Sequence, residues 1–193
     1  MSRKNLPLRI GLYLVAVICW LLVMLQGCVP LFLAAGAGAG YIATDKKAAH
    51  RFDRSLHELA RSITTSARRI AGAGPTARRY RYRKGSGAKV RLQKCVLTPG
   101  TVHHGDKVTT VMIYAVLGVP AKGLNIEEKR ELRFKGNKIS TLQNTSIRRT
   151  NGTWKSRLVF KVPQSALKGT YEVRQQISFQ GKTLKTTRKF TLL

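Results

Sequence analysis

The residues whose type and spacing most clearly suggest a chemistry are the cations between positions 76 and 94. This stretch holds eight basic residues and no acid: Arg78, Arg79, Arg81, Arg83, Lys84, Lys89, Arg91 and Lys94. Guanidinium and ammonium groups bind phosphates and carboxylates, so the run predicts polyanion binding that weakens as salt rises. A solvated linker whose charge only aids solubility has the same composition, and both interpretations stay open here.

An alternation of arginine and tyrosine lies inside this run, from Arg79 to Arg83. In an extended chain it would place two rings on one side and three guanidiniums on the other. Such a surface suits stacking on single-stranded nucleic acid, and it suits lipid phosphates or other acidic polymers equally well. The polyanion that meets this segment therefore depends on the side of the membrane on which it lies.

The whole chain is basic as well. Its 193 residues hold 36 Lys and Arg against 8 Asp and Glu, a formal net charge of +28. This imbalance argues against a balanced cytosolic enzyme and favours association with anionic lipid, lipopolysaccharide or another acidic envelope polymer. An envelope protein partner fits the same charge, whereas export would leave little nucleic acid for the chain to meet.

We find no residue pattern typical of a catalytic or metal site. His103 and His104 stand beside Asp106 in a predicted turn, and the three cysteines form no metal-binding pair. The acid cluster alternates with bases: Glu127, Glu128, Lys129, Arg130, Glu131 and Arg133. Such carboxylates are predicted to be ionised and paired rather than poised as general acids. The sequence thus predicts a binding protein that is not an enzyme and uses no cofactor or metal.

The N-terminus has the layout of a membrane or export signal. Three basic residues precede an uncharged stretch over 10–44, and its first part, up to Leu25, is almost wholly aliphatic or aromatic. A charged region, an apolar region and small residues in this order are typical of a signal peptide, predicted here for 1–27. Roughly 20 apolar residues also span a bilayer, so an uncleaved transmembrane helix is the alternative.

The apolar region ends in Leu25-Gln26-Gly27-Cys28, which resembles a bacterial lipobox. Such boxes carry an aliphatic residue three positions before the cysteine and a small one just before it, as Leu25 and Gly27 do. The resemblance implies that Cys28 is acylated and begins the mature chain, anchored in the bacterial cell envelope and facing the periplasm or the cell surface. The transmembrane alternative implies an inner-membrane protein that faces the cytoplasm and binds nucleic acid through 76–94.

Three segments separate this signal from the last part of the chain. Residues 28–43 are apolar and rich in glycine, which predicts a membrane-proximal or partner-facing segment. Over 44–75, apolar residues recur at helical spacing after two capping residues, which predicts an amphipathic helix. That helix would pack on the following domain, associate with itself or lie along an anionic bilayer. Residues 76–88 complete the connection as a basic linker.

From residue 89 onward the apolar period changes to two, which is typical of half-buried strands. Strands are predicted at about 89–97, 107–117, 126–135, 138–149, 154–162, 171–179 and 182–192. Between two of them, Asn151-Gly152 favours a type I′ hairpin. Seven short strands at this spacing predict a mainly β fold, an antiparallel β-sandwich over 89–193.

The segment Leu167-Lys168-Gly169-Thr170-Tyr171 delivers a tyrosine to the start of the penultimate predicted strand. It resembles the corner of immunoglobulin-like and fibronectin-like domains, and the resemblance implies that the Tyr171 hydroxyl ties the corner to nearby backbone. Val173 stands where an antibody domain has its second cysteine, so the inter-sheet disulfide is excluded. Cys95 is then predicted to be a lone, buried thiol.

Overall fold

The computed structural model describes residues 46–193, with side chains from Asp53 onward. The predicted signal peptide or anchor, the glycine-rich segment and Cys28 lie outside the described residues. Within 46–193 the elements are α1 (Lys46–Ser62), β1 (Thr64–Ala71), α2 (Ala73–Arg79), β2 (Lys89–Thr98), β3 (Thr101–Val102), β4 (Lys107–Leu117), β5 (Leu124–Phe134), β6 (Asn137–Arg149), β7 (Gly152–Lys161), β8 (Gly169–Phe179) and β9 (Lys182–Leu192). Neither of these helices is long and apolar enough to cross a bilayer.

The strands form two facing sheets. One has four strands in the order β1-β7-β4-β2, and the other has five in the order β3-β9-β8-β5-β6. All neighbours are antiparallel except the short β3, which runs parallel to β9. With β2, β4 and β7 in one sheet and β6, β5, β8 and β9 in the other, the order is that of an immunoglobulin-like sandwich. The predicted fold class is confirmed, with β1 and β3 added to the seven predicted strands.

The predicted amphipathic helix over 44–75 is too long, because α1 ends at Ser62. Thr64–Ala71 instead forms β1, which pairs with β7. Consecutive β-branched residues at 63–65 disfavour a helix, and pairing with β7 gives the backbone of β1 the hydrogen bonds that a helix would have given it. Ala67 and Ile70, two of the apolar residues within the predicted helix, lie on this exposed edge strand.

α1 packs against one end of the sandwich, which is one of the alternatives predicted for it. Leu59 is buried in the core, and Ile63 packs against the same cluster. The Ser62 hydroxyl accepts a hydrogen bond of 2.9 Å from the backbone N–H of Lys161, which fixes the end of the helix beside β7. The apolar face of its last turns is therefore used inside the protein.

Asn151-Gly152 is not a hairpin, contrary to the sequence prediction. The chain crosses here from β6 in the five-stranded sheet to β7 in the four-stranded one. The Asn151 amide donates to the carbonyl of Val119 at 2.7 Å and accepts from its N–H at 3.1 Å, which ties two crossings together. Gly152 has a φ of +145°, and a Cβ there would lie 2.6 Å from the carbonyl oxygen of Ala71. The Asn151-Gly152 sequence is thus explained by the close approach of two chain segments rather than by a tight turn.

The core consists of two hydrophobic clusters, and the predicted tyrosine corner closes one of them. The Tyr171 hydroxyl donates to the carbonyl of Leu167 at 2.7 Å, as the resemblance implied. Its ring stacks on Phe190 with centroids 5.2 Å apart and lies 4.7 Å from the ring of Phe134. The second cluster contains Cys95, which is buried and forms no disulfide, as predicted.

Candidate anion-binding surface

The eight predicted anion-binding residues are all exposed, but they do not form a linker. Two of them, Arg78 and Arg79, end α2. The next three lie in the turns that follow, and the last three lie on β2, an edge strand of the four-stranded sheet. The segment predicted as a basic linker over 76–88 is therefore folded onto the sandwich, and its cations have defined positions.

Several contacts hold this segment against the outside of the four-stranded sheet. The hydroxyls of Thr76 and Thr153 are 2.9 Å apart and buried, so α2 lies directly on β7. The Gln93 amide, with its oxygen facing Arg79, accepts from both terminal guanidinium nitrogens at 3.1 and 2.6 Å. One of the eight predicted cations is thus already bound to a neutral partner within the protein.

The predicted alternation of rings and guanidiniums is absent, because the chain is not extended between Arg79 and Arg83. Arg81 has a φ of +47°, and the N–H of Tyr82 donates back to the carbonyl of Ala77 at 2.9 Å. The Tyr82 hydroxyl donates to the Gly87 carbonyl at 2.9 Å, so the ring is tied to its own turn. The stacking surface for single-stranded nucleic acid therefore does not form in this conformation.

The structure adds five cations that sequence reasoning missed, and it places them beside two of the predicted ones, Arg91 and Lys94. The side chains on the outer side of the four-stranded sheet include seven from four neighbouring strands, here called the basic face: Arg68, Arg91, Lys94, Lys107, Lys155, Arg157 and Lys161. The cations on β2, β4 and β7 alternate with buried residues of the same strands, and the pairing of Arg68 with Lys155 places Arg68 on the same side. The face adjoins α2 and the turns after it, so both sets of cations occupy one side of the sandwich.

Like charges face each other directly on the basic face. Arg68 is the cross-strand partner of Lys155, and Lys107 is the partner of Lys161. Like-charge pairs of this kind destabilise a sheet. Among the residues that the structure describes, β1, α2, β2, β4 and β7 contain no Asp or Glu, and no carboxylate lies within ion-pair distance of the basic face. Its charge is therefore available to an external anion.

The outer side of the five-stranded sheet has the opposite arrangement. Glu131 lies 3.0 Å from the ammonium of Lys129 and 3.9 Å from that of Lys138, and Glu172 lies 3.1 Å from that of Lys189. Burial alone would raise the pKa of Glu131, but Lys129 and neighbouring cations lower it. The prediction that the acids of this cluster are ionised and paired is confirmed for Glu131.

A fully buried charge network lies between the sheets, around Glu128. Its carboxylate accepts from the Tyr114 hydroxyl at 2.5 Å, from Arg149 at 3.1 Å and from the Ser156 hydroxyl. Arg130, also fully buried, lies 3.7 Å from the same carboxylate. Burial would raise the pKa of Glu128, but these hydrogen bonds and the charge of Arg130 lower it overall. The carboxylate is thus ionised and paired, as predicted, and this site is structural.

The other groups with potential chemistry are placed as the sequence predicted. His103 and Asp106 form a turn, in which the backbone N–H of His103 donates to the Asp106 carboxylate at 2.8 Å. Burial raises the pKa of the Cys95 thiol to about 11, so it is a poor nucleophile near neutral pH. Among the side chains described, from Asp53 onward, no group of His, Cys, Asp and Glu is arranged to hold a metal ion.

Comparison with known proteins gave no family. No family model matches the sequence, and neither does any curated protein. Among solved structures, a CARDB domain from Pyrococcus furiosus in complex with di-metal ions has a TM-score of 0.43 at 9% identity, over 57% of this chain and 93% of that one. An alkylpurine DNA glycosylase of Pseudomonas fluorescens bound to abasic-site DNA has 0.40 at 15%, over 55% and 31%. A conjugative transposon lipoprotein of Bacteroides eggerthii has 0.31 at 11%, over 55% and 98%. We base no inference on similarities this distant.

Proposed function

We propose that the protein is a non-catalytic binding protein of the bacterial cell envelope, anchored to a membrane by its N-terminus, whose basic sandwich binds an acidic envelope surface. The observation that carries the proposal is the segregation of charge. The strands of the four-stranded sheet hold cations and no acid, whereas the acids of the described strands all belong to the five-stranded sheet. An asymmetric field of this kind attracts an extended anionic partner and orients the domain toward it.

The state of the acids supports a binding role rather than catalysis. A general acid or base needs a pKa near the operating pH and contact with substrate. The pKa of Glu128 and that of Glu131 are instead lowered, and Glu128 is wholly buried beneath the sheets. These two carboxylates remain ionised at neutral pH and are held by the protein's own cations.

Anchoring is tested by the intact mass of the membrane-extracted protein, wild type beside Cys28→Ala. Acylation predicts a wild-type chain that begins at Cys28 and carries fatty acyl groups, with the mutant unprocessed. An unmodified full-length mass in both samples would reject lipidation and favour the transmembrane alternative. In that case nucleic acid becomes the next partner to test.

Binding is tested with a fragment of residues 46–193 and vesicles that contain phosphatidylglycerol. The fragment begins at Lys46 because Leu59 of α1 is part of the core and β1 pairs with β7. We expect binding to anionic vesicles and not to pure phosphatidylcholine, with an affinity that falls as salt shortens the screening length to about 3 Å at 1 M. Binding that is equal on both vesicles, or insensitive to salt, contradicts the electrostatic part of the proposal.

A further inference from the structure

We infer that the basic face is the surface that docks the domain on an anionic lipid bilayer, an inference that rests on the proposed function and names its partner. The face was defined by the cations on the outer side of β1, β7, β4 and β2, which include Arg68, Lys155, Arg157 and Lys107. It extends the binding surface well beyond the basic segment at 78–94, to residues that lie far apart in the sequence.

The dimensions of the face suit a broad surface. Neighbouring strands lie about 4.8 Å apart, so the four strands from β1 to β2 span about 14 Å. Along β7, the six steps from Lys155 to Lys161 cover about 20 Å at roughly 3.3 Å per residue. Cations spread over such an area can contact several lipid headgroups at once.

The composition of the face favours phosphates at a bilayer surface over single-stranded nucleic acid. Between the cations lie small and aliphatic side chains, among them Val111, Ile113 and Val159, which are partly buried. Long cationic side chains can lie along such aliphatic groups and present their charged ends outward. Non-specific binding of single strands relies instead on exposed aromatic rings, and none of the described residues on this face is aromatic.

The like-charge pairs on the basic face also favour docking on an anionic bilayer. Arg68 opposite Lys155 and Lys107 opposite Lys161 cost the sheet stability, as directly opposed like charges do. An anionic bilayer relieves both repulsions at once, because its phosphates lie between the cations. Bound lipid would therefore hold the domain at the membrane and also raise its stability.

The first test removes two charges from each sheet. The variant Lys155→Gln with Arg157→Gln alters the basic face, and Lys182→Gln with Lys185→Gln alters exposed residues of β9 by the same net charge. Each cation near an anionic surface contributes about 1 kcal/mol, so the first variant should bind phosphatidylglycerol vesicles about 30-fold more weakly. The two sheets lie about 10 Å apart, close to the screening length at 0.1 M salt, so the second should lose less than about threefold.

The second test reports orientation directly. Ser66→Cys places a label on the outer side of β1, beside Arg157, and Thr187→Cys places one on the outer side of β9. The native Cys95 is buried and its raised pKa makes it react slowly, so the new thiol is labelled selectively. On phosphatidylglycerol vesicles, the label at position 66 should be shielded from an aqueous quencher and the label at 187 should not.

The outcomes separate this inference from the proposed function. Salt-sensitive vesicle binding in which both labels stay accessible, or only the label at 187 is shielded, overturns the docking face and leaves the proposed function standing. No vesicle binding by the folded wild-type fragment overturns both. Tight binding of a single-stranded oligonucleotide at a salt concentration where vesicles do not bind also overturns the membrane assignment.

Discussion

On the outer side of the five-stranded sheet, cations stand beside carboxylates: Glu172 faces Arg133 on β5 and forms an ion pair with Lys189 on β9. On the outer side of the four-stranded sheet, Arg68 faces Lys155, and no described carboxylate forms an ion pair with either of them. The strands of the first sheet hold four acids, which pair with part of its positive charge, whereas the strands of the second hold cations and no acid. The comparison shows that net charge alone does not locate a binding surface, because a cation that is paired with a carboxylate of the protein is less available to an external anion.

The largest expected loss of stability comes from replacing Glu128, the buried acid of the five-stranded sheet. Glu128→Gln leaves Arg130 and Arg149 in the core without their anion. Removing one partner of a buried ion pair costs about 3–5 kcal/mol, so the free energy of unfolding should fall by that amount in urea titrations. Glu172→Gln removes a more exposed pair on the same sheet and should cost no more than about 1 kcal/mol. Equal losses in the two variants would show that the interior pairing contributes no more than the surface pairing.

A carboxylate placed on the basic face should affect stability and binding in opposite directions. Arg68→Glu turns a like-charge pair with Lys155 into an attractive one, and should stabilise the domain by about 0.2–1 kcal/mol. Vesicle affinity should nevertheless fall about 30-fold, because the face loses two units of charge. Lys182→Glu makes the same charge change on β9 and serves as the control. A destabilised Arg68→Glu protein would indicate that Arg68 contributes to the stability of the fold rather than only to the electrostatic field of the basic face.

Lowering the pH should destabilise the domain through the protonation of Glu128. Its pKa in the folded protein lies below 4.5, so the unfolded chain binds the proton first as pH falls. The stability that Glu128 contributes is therefore present above pH 4.5 and is lost below it, by at most about 1.4 kcal/mol per pH unit for one proton. Unfolding free energies measured on both sides of that pH should show a shallower decline in Glu128→Gln than in wild type or Glu172→Gln. Parallel declines in all three would assign the acid sensitivity elsewhere.

A smaller change should affect stability alone. Tyr171→Phe removes the hydrogen bond to the Leu167 carbonyl and should lower the free energy of unfolding by about 1 kcal/mol. Burial raises the pKa of Tyr171 to about 12, so the bond is present throughout the neutral range. Thermal unfolding should show a lower Tm, while salt-dependent vesicle binding stays as in wild type. A change in binding would mean that the two sheets are coupled through the corner.

Sequence patterns predicted the sandwich well because its inner faces follow a strict alternation. β4 and β9 span the predicted ranges 107–117 and 182–192, and the corner at Tyr171 forms the bond that its resemblance implied. The basic face was missed for a different reason. Arg68 meets Lys155 only because β1 pairs with β7, and an edge strand exposed on both sides carries no alternation that would reveal this pairing. Local patterns locate strands, but the register between distant strands decides which charges share a surface.

The position of β1 also determines which backbone edge of the four-stranded sheet is open beside β7. β1 covers the outer edge of β7, a ten-residue strand, so the open backbone edge belongs to a shorter strand with adjacent arginines at 68 and 69. Charged side chains on a short edge discourage pairing with another chain. A chain cut at residue 76 would lose this cover, expose the longer and more apolar β7, and offer a template for strand exchange and aggregation. The arginines on β1 would thus discourage the pairing of this sheet with another chain, and they would also attract anions to it.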